Sequence, residues 1–227
     1  LGAVRHQGFI PWDDDIDVGM PIKDYNEFLK IAESELPRDI FLQTKRTDKN
    51  YRPGDAKLRD CYSTFIEYEE DENPGYHQGI FIDIFRYTEY PKLPYRIRQH
   101  MMNKTLKIYI NRYINKKSNF PEIVQNYIYK SLWKFSIFLK KSGELAAPLG
   151  ENYFKAIHPF SSIFPLSSVE FEGKIYVAPG EYDNYLNTIY GNYMKLPPVE
   201  ERKFTHARVI LPDTPCKHPR ALSHNTF

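Results

Sequence analysis

The 227-residue sequence predicts an α/β (α+β) fold, a mixed β-sheet core flanked by helices and continued by a helical extension. Three observations carry that expectation. The run Asp15-Ile16-Asp17-Val18-Gly19-Met20 alternates acidic and apolar residues with the period of a strand, and an apolar set at helical spacing follows it at once. Residues 40–90 then hold several short runs rich in β-branched and aromatic residues, separated by Pro- and Gly-containing turns. From about Tyr95 the chain changes to long helix-spaced stretches of Tyr, Ile, Lys and Arg. Residues 1–94 therefore read as a catalytic core, and residues 95–227 as a helical and C-terminal region packed on it.

In chain order, residues 1–9 read as the end of a helix entering a turn, and Pro11 stops any helix before the acids. Asp15 to Met20 is the first strand. Pro21 suits the first turn of a helix whose apolar face is Tyr25, Phe28, Leu29, Ala32 and Leu36, and Pro37 ends it. Strands are expected at 40–43, 56–59, 63–68 and 79–85, the last with a lone Asp83 at its centre. Turns lie at 52–55 and 72–75. Helices are expected over 95–115 and 121–142, then a loop with strand-like pieces over 161–177. A further helix spans 181–190 with Gly191 as its C-cap, and an irregular Pro- and His-rich tail ends the chain.

Eighteen Tyr and fifteen Phe in a chain that is 41% hydrophobic provide for a sizeable core. Net charge is +2, but residues 1–90 carry an acidic excess and residues 91–227 a basic one. An acidic half wants a cation, and a basic half suits phosphates or anionic lipid. Cys61 and Cys216 form no metal-spaced set, which favours a reducing compartment. No stretch approaches the roughly 18 apolar residues of a membrane span, and no secretory signal is evident. The expected location is the cytoplasm, with peripheral contact at the inner membrane face.

The chemistry centres on the acids. Asp15 and Asp17 point to one side of a strand, about 6.5–7 Å apart along it, a spacing that can share divalent ions. Mg²⁺ suits such hard oxygen ligands, with Mn²⁺ as the alternative. Trp12, Ile16 and Val18 interleave with the acids, which argues for a partly buried strand rather than a solvated loop. Asp83 sits between Phe81 and Phe85 on one strand face. It is either a third acid converging on Asp15 and Asp17, as metal ligand or base, or a carboxylate paired with an Arg. Arg5, His6, Lys57 and Arg59 are candidates for contact with substrate phosphates, and Asp13 and Asp14 for support. His77 reads as a loop residue rather than a catalyst. The absence of P-loop, GxGxxG and HExxH patterns argues against the common kinase, dehydrogenase and zinc-protease plans.

These residues also carry a resemblance. The run from Leu1 to Met20, LGAVRHQGFIPWDDDIDVGM, is similar to the signature of the LicD family, which includes fukutin-like proteins. Lys57-Leu58-Arg59, Thr64-Phe65-Ile66-Glu67, the 79–85 strand and Tyr190-Gly191-Asn192-Tyr193-Met194-Lys195-Leu196-Pro197-Pro198 agree with it. The resemblance implies a nucleotidyltransferase-like core, dependence on Mg²⁺, and transfer of a phospho-alcohol, typically phosphocholine, from a CDP-linked donor to a glycan or lipid-linked glycan. It places the metal-binding and catalytic acids at Asp15, Asp17 and Asp83. The family normally has a strand and a Gly-Ser or Gly-Thr pair just ahead of Leu1, so the N-terminal part of the core either lies outside this sequence or has been lost from the protein.

Two other readings stand beside phospho-alcohol transfer: nucleotidyl transfer with release of pyrophosphate, and a non-catalytic domain that binds nucleotide or glycan. Arg96, Arg98, Lys104, Lys107, Arg112, Lys116 and Lys117, set among Tyr and Ile, suggest either a membrane-facing segment or a basic solvated helix. No uniformly basic face or recognisable module points to nucleic acid.

Overall fold

A computed structural model describes residues 1–51, 54–68, 70–114, 117, 119–139, 141–146, 157–202 and 207–222. Its elements are, in order, α1 (Gly2–Arg5), β1 (Asp17–Pro21), α2 (Ile22–Glu35), β2 (Ile40–Gln43), β3 (Ala56–Asp60), β4 (Thr64–Glu67) and β5 (Phe81–Pro91). There follow α3 (Tyr95–Tyr109), which runs into a π-turn over Ile110–Ile114, α4 (Phe120–Leu139), β6 (Lys141–Ala146), β7 (Ile157–Pro159) and α5 (Phe160–Ile163). The chain ends with β8 (Ser167–Phe171), β9 (Lys174–Ala178), α6 (Tyr182–Tyr190) and β10 (Ala207–Leu211). The chain forms two compact units, unit I from Ile10–Arg86 and Pro197–Phe227, and unit II from Leu1–Phe9 and Tyr87–Leu196. The compositional change at Tyr95 comes soon after the chain enters unit II.

In unit I, β3 lies antiparallel between β2 and the first half of β5, and β1 pairs with β5 as well. The register sets Phe41 opposite Arg59, Gln43 opposite Lys57, and Lys57 opposite Asp83. Successive side chains alternate faces, so Leu42, Ala56, Leu58 and Ile84 share one side while Gln43, Lys57, Arg59, Phe81 and Asp83 share the other. The apolar side packs under α2, whose Tyr25, Phe28, Leu29 and Ala32 recur at helical spacing, and Met20 of β1 joins the same cluster. Each fully buried side chain of this kind is worth about 1.5–3 kcal/mol, so packing rather than helix propensity holds α2 in place. The Tyr25 hydroxyl also accepts the Ala56 N–H at 2.8 Å. Leu36 is extended (φ −68, ψ 141) because Pro37 disfavours the helical conformation before it.

The tail is more ordered than its Pro and His content suggests. Ala207–Leu211 is a strand that pairs antiparallel with β4, with Ile210 opposite Phe65 and Leu211 opposite Thr64.

In unit II, the last residues of β5 pair with β6, and β6 pairs with β7. α3 and α4 close over Tyr90, Met101 and Trp133. The Tyr90 and Trp133 rings meet edge-to-face at 4.8 Å. The helix expected over 121–142 stops at Leu139, and Lys141–Ala146 becomes a strand because the exposed edge of β5 offers it a partner. β8 and β9 form a hairpin. α6 ends as expected at Gly191, whose φ of 66 suits glycine and whose N–H reaches the Asn187 carbonyl. No described helix is long and apolar enough to cross a membrane. Arg52 and Pro53 of the expected first turn, and Lys116 of the basic segment, lie outside the described residues.

Candidate active site

The polar sheet face of unit I is assembled where β1 meets β5. The Asp83 N–H donates to the Ile16 carbonyl at 3.0 Å, which sets Asp15 and Asp17 on either side of the residue joined to Asp83. Because that amide is directed toward Ile16, Lys57 and Asp83 form a non-hydrogen-bonded antiparallel pair, in which side chains come closest. Lys57 Nζ lies 2.8 Å from Asp83 Oδ2, with the two side chains only 7% and 19% exposed. The same ammonium sits 3.4 Å from the centroid of the Phe81 ring. Burial draws the Lys57 ammonium below its usual range, while Asp83 works in the opposite direction. The pairing considered for Asp83 is thus realised, with a lysine in place of an arginine.

Asp17 stands at the head of β1 on the same face. Its residue surface stays open to solvent, yet protein surrounds the carboxyl closely. That crowding, followed by the charges of Asp15 and Asp83, pushes it up to about 7, while Lys57 pulls the other way. Asp15, Asp83 and Lys57 therefore all act electrostatically on Asp17, and Lys57 and Asp83 on each other. The apolar residues between the acids are more open than expected, Ile16 at 41% and Val18 at 40%. Among the described strands β1 pairs with β5, and it is Met20, further along, that reaches the core.

Asp14 supports the acidic run by accepting the Ala207 N–H at 3.1 Å, which ties the run to β10. The Asp13 N–H closes a turn onto the Ile10 carbonyl. Arg202 places its guanidinium 5.0 Å from the Trp12 ring centroid. Sequence reasoning passed over Arg202; its position just after Pro197-Pro198, the end of the family-like motif, was the signal that could have drawn it in.

Arg59 turns inward. It is 1% exposed, with Nε on Gln43 Oε1 and Nη1 on the Gly79 carbonyl, both at 2.7 Å. Gln43 in turn donates to Asp48 Oδ2 and the His77 carbonyl. His77 accepts the Gly79 N–H on Nδ1 at 3.0 Å. Burial first, then the His218 and Arg59 charges, hold the imidazole down at about 3, so it is neutral. A side chain at Gly79 would come within 1.9 Å of the Asp60 carbonyl oxygen, so only glycine lets this turn close against β3. Arg59 and His77 thus brace the strands that present Lys57 and Asp83.

Arg5 and His6 belong to unit II. Arg5 donates to the Tyr193 carbonyl at 2.8 Å and to His6 Nδ1 at 3.3 Å, joining the two distant pieces of the signature. Burial, then the Arg5 charge, lowers the His6 pKa.

Among the described residues, no three His, Cys, Asp or Glu side chains gather into a ready-made metal cage. Asp17 with Asp15 or Asp83 still suits a hard cation that takes one or two carboxylates and completes its shell with water and phosphate oxygens. Burial first, and then the charges of Asp15 and Asp83, raise the Asp17 carboxyl, and a bound cation would offset both.

A family model described as "LicD/FKTN/FKRP, nucleotidyltransferase domain" matches residues 1–123. The lipopolysaccharide cholinephosphotransferase LicD of Haemophilus influenzae is 29% identical over 227 residues, covering 91% of this chain and 83% of its own. An uncharacterized protein of Rickettsia prowazekii, RP689, is 34% identical over 92 residues, which are 40% of this chain and 30% of its own.

Proposed function

The chain belongs to the LicD family and is a phosphotransferase, and on that premise we propose that it moves phosphocholine, or a related phospho-alcohol, from a CDP-activated donor to a hydroxyl of a surface glycan. The observation that carries this reading is the similarity, along 91% of the chain, to a lipopolysaccharide cholinephosphotransferase. The polar face of unit I supplies groups suited to the step.

In the transfer, an acceptor oxygen bonds to the phosphorus that bears the alcohol, the bond from that phosphorus to the oxygen of the CMP phosphate breaks, and CMP leaves. Asp17 with Asp15 or Asp83 would hold Mg²⁺ or Mn²⁺, which when bound would supply positive charge against the donor diphosphate. Lys57, 2.8 Å from Asp83 Oδ2, fixes the direction of that carboxylate. Asp83 orients the acceptor hydroxyl and takes its proton. Arg59, His77 and Gly79 hold β3 and β5 at the spacing this requires. Little covalent chemistry falls to the protein, so charge and placement account for most of the rate.

The test is a screen of CDP-choline, CDP-ribitol and CDP-glycerol with glycan acceptors, with and without Mg²⁺. CMP release that needs both acceptor and Mg²⁺ is the expected result. Pyrophosphate release from a nucleoside triphosphate would instead establish nucleotidyl transfer, and nucleotide binding without turnover a non-catalytic domain.

A further inference from the structure

Helix α4 inverts the usual distribution of residues. Its inward side carries Trp133, buried against Tyr90, with Tyr129 and Ile137 packed alongside. Its outward side is also apolar: Phe120, Tyr127, Ile128, Leu132, Phe135 and Phe138 are exposed, the phenylalanines at 77%, 57% and 83%. At 100° per residue these six fall within one arc of about two fifths of the helix circumference, and part of it forms an open apolar groove around Tyr127, Ile128 and Leu132. Single exposed apolar residues are ordinary, but a contiguous stripe of this length marks an interaction surface.

The charge around the stripe identifies the partner. The helix has a single acid, Glu122, which is turned from solvent and accepts from Asn111. Lys130 and Lys134, both exposed, follow one another along one flank of the stripe. The neighbouring α3 adds exposed Arg96 and Lys107. A wide apolar arc with aromatic residues, a cationic flank and no exposed carboxylate on the helix is the pattern of a helix lying in a membrane interface, whereas a protein partner would be expected to meet a mixed polar rim. We propose that the outer face of α4 docks on an anionic lipid bilayer, with Phe135 and its neighbours among the acyl chains and Lys130 and Lys134 at the headgroup phosphates. The proposal moves membrane contact from the basic stretch 96–117 to α4, and it stands independently of the chemistry of the unit I acids.

Flotation of the full chain with vesicles tests it. With phosphatidylcholine containing about one third phosphatidylglycerol, the protein should float with the vesicles, and binding should weaken with salt. Phe135→Glu combined with Leu132→Glu should lower the bound fraction about tenfold or more. Lys130→Gln with Lys134→Gln should lower binding to anionic vesicles and not to pure phosphatidylcholine. CMP release with a soluble acceptor should be unchanged in all of these variants, and thermal melts should confirm that they fold. No flotation of the unaltered chain, or flotation that the Glu variants leave intact, overturns the proposal. So does a concentration-dependent dimer that Phe135→Glu dissociates in the absence of any vesicle binding, because the face would then belong to a second copy of the chain.

Discussion

The polar sheet face of unit I and the outer face of α4 in unit II break the same rule in opposite directions. In unit I, Lys57 and Arg59 are taken out of water, at 6% and 1% exposure, each with named partners. In unit II, Phe120 and Phe138 stay in water although the helix that carries them packs well on its other side. Folding alone favours charged groups outside and apolar groups inside, so each region departs from the arrangement of lowest free energy. The difference teaches where to expect function. Buried charge serves a reaction that needs fixed electrostatics, and exposed apolar surface serves a partner that will cover it. Substitutions in the first region should affect activity and stability strongly, and those in the second should affect neither.

The largest effect should come from the acids. Asp17→Asn and Asp83→Asn keep the shape of the side chain but remove its charge, and each should lower the transfer rate by about a thousandfold with the fold kept. Initial rates of CMP release at saturating donor measure this, and a rate within a few-fold of the unaltered enzyme would remove that acid from the mechanism.

Next in size is the ion pair beneath the site. Lys57→Met leaves Asp83 part-buried without its cation, which should cost about 3 kcal/mol, read as a lower urea midpoint. The double variant with Asp83→Asn should recover most of that loss, since neither charge then remains. A double variant as unstable as the sum of the two single variants would show that the pair is not coupled.

These two predictions rest on features that were legible to different degrees. The period-2 alternation of Asp15 and Asp17 and the β-branched run around Asp83 are local signals; the strand itself begins only at Asp17, with Asp15 ahead of it, and the charges of Asp15 and Asp83 both act on the Asp17 carboxyl. The identity of Asp83's partner was not legible, because it depends on the register between β3 and β5, two strands brought together by the intervening chain. The same limit applies to Arg59. Its i, i+2 relation to Lys57 is plain in the sequence, but its burial depends on Gln43 from β2 and the Gly79 carbonyl. The strand Ala207–Leu211 was hidden for a related reason, since its partner β4 lies far back in the chain and Pro and His surround it. In α4 the apolar residues lie almost all the way round, so periodicity identifies a helix but cannot say which side faces the core.

A smaller and opposite effect sharpens the comparison inside unit I. Asp17 is held at about 7 against an ordinary value of 3.8, so the folded chain holds its proton more tightly than the unfolded chain does. Its ionisation therefore costs stability. The cost is absent below about pH 4, grows through the interval to 7, and is complete above it. Asp17→Asn should raise stability at pH 8 by about 1 kcal/mol after allowance for the open side of the carboxyl, and by nothing at pH 4. Urea denaturation at the two pH values without divalent cation measures the gap. The variant that loses activity should thus be the more stable protein at neutral pH, and an Asn variant less stable than the parent at pH 8 would mean that Asp17 is held by favourable contacts rather than strained by its neighbours.

The smallest effect should be on α4. Phe135 is 57% exposed and Trp133, two residues before it, is 6% exposed, so one helix offers an internal contrast. Phe135→Ser removes a large apolar side chain yet should shift stability by less than about 0.5 kcal/mol, because little of its surface leaves water on folding. Solubility should rise and vesicle binding should fall. A marked loss of stability on replacing Phe135 would mean that the face is covered in the free protein, and the contrast between the two regions would fail there. A neutral result shows that the stripe contributes little to the fold, which leaves its apolar character to be explained by a partner.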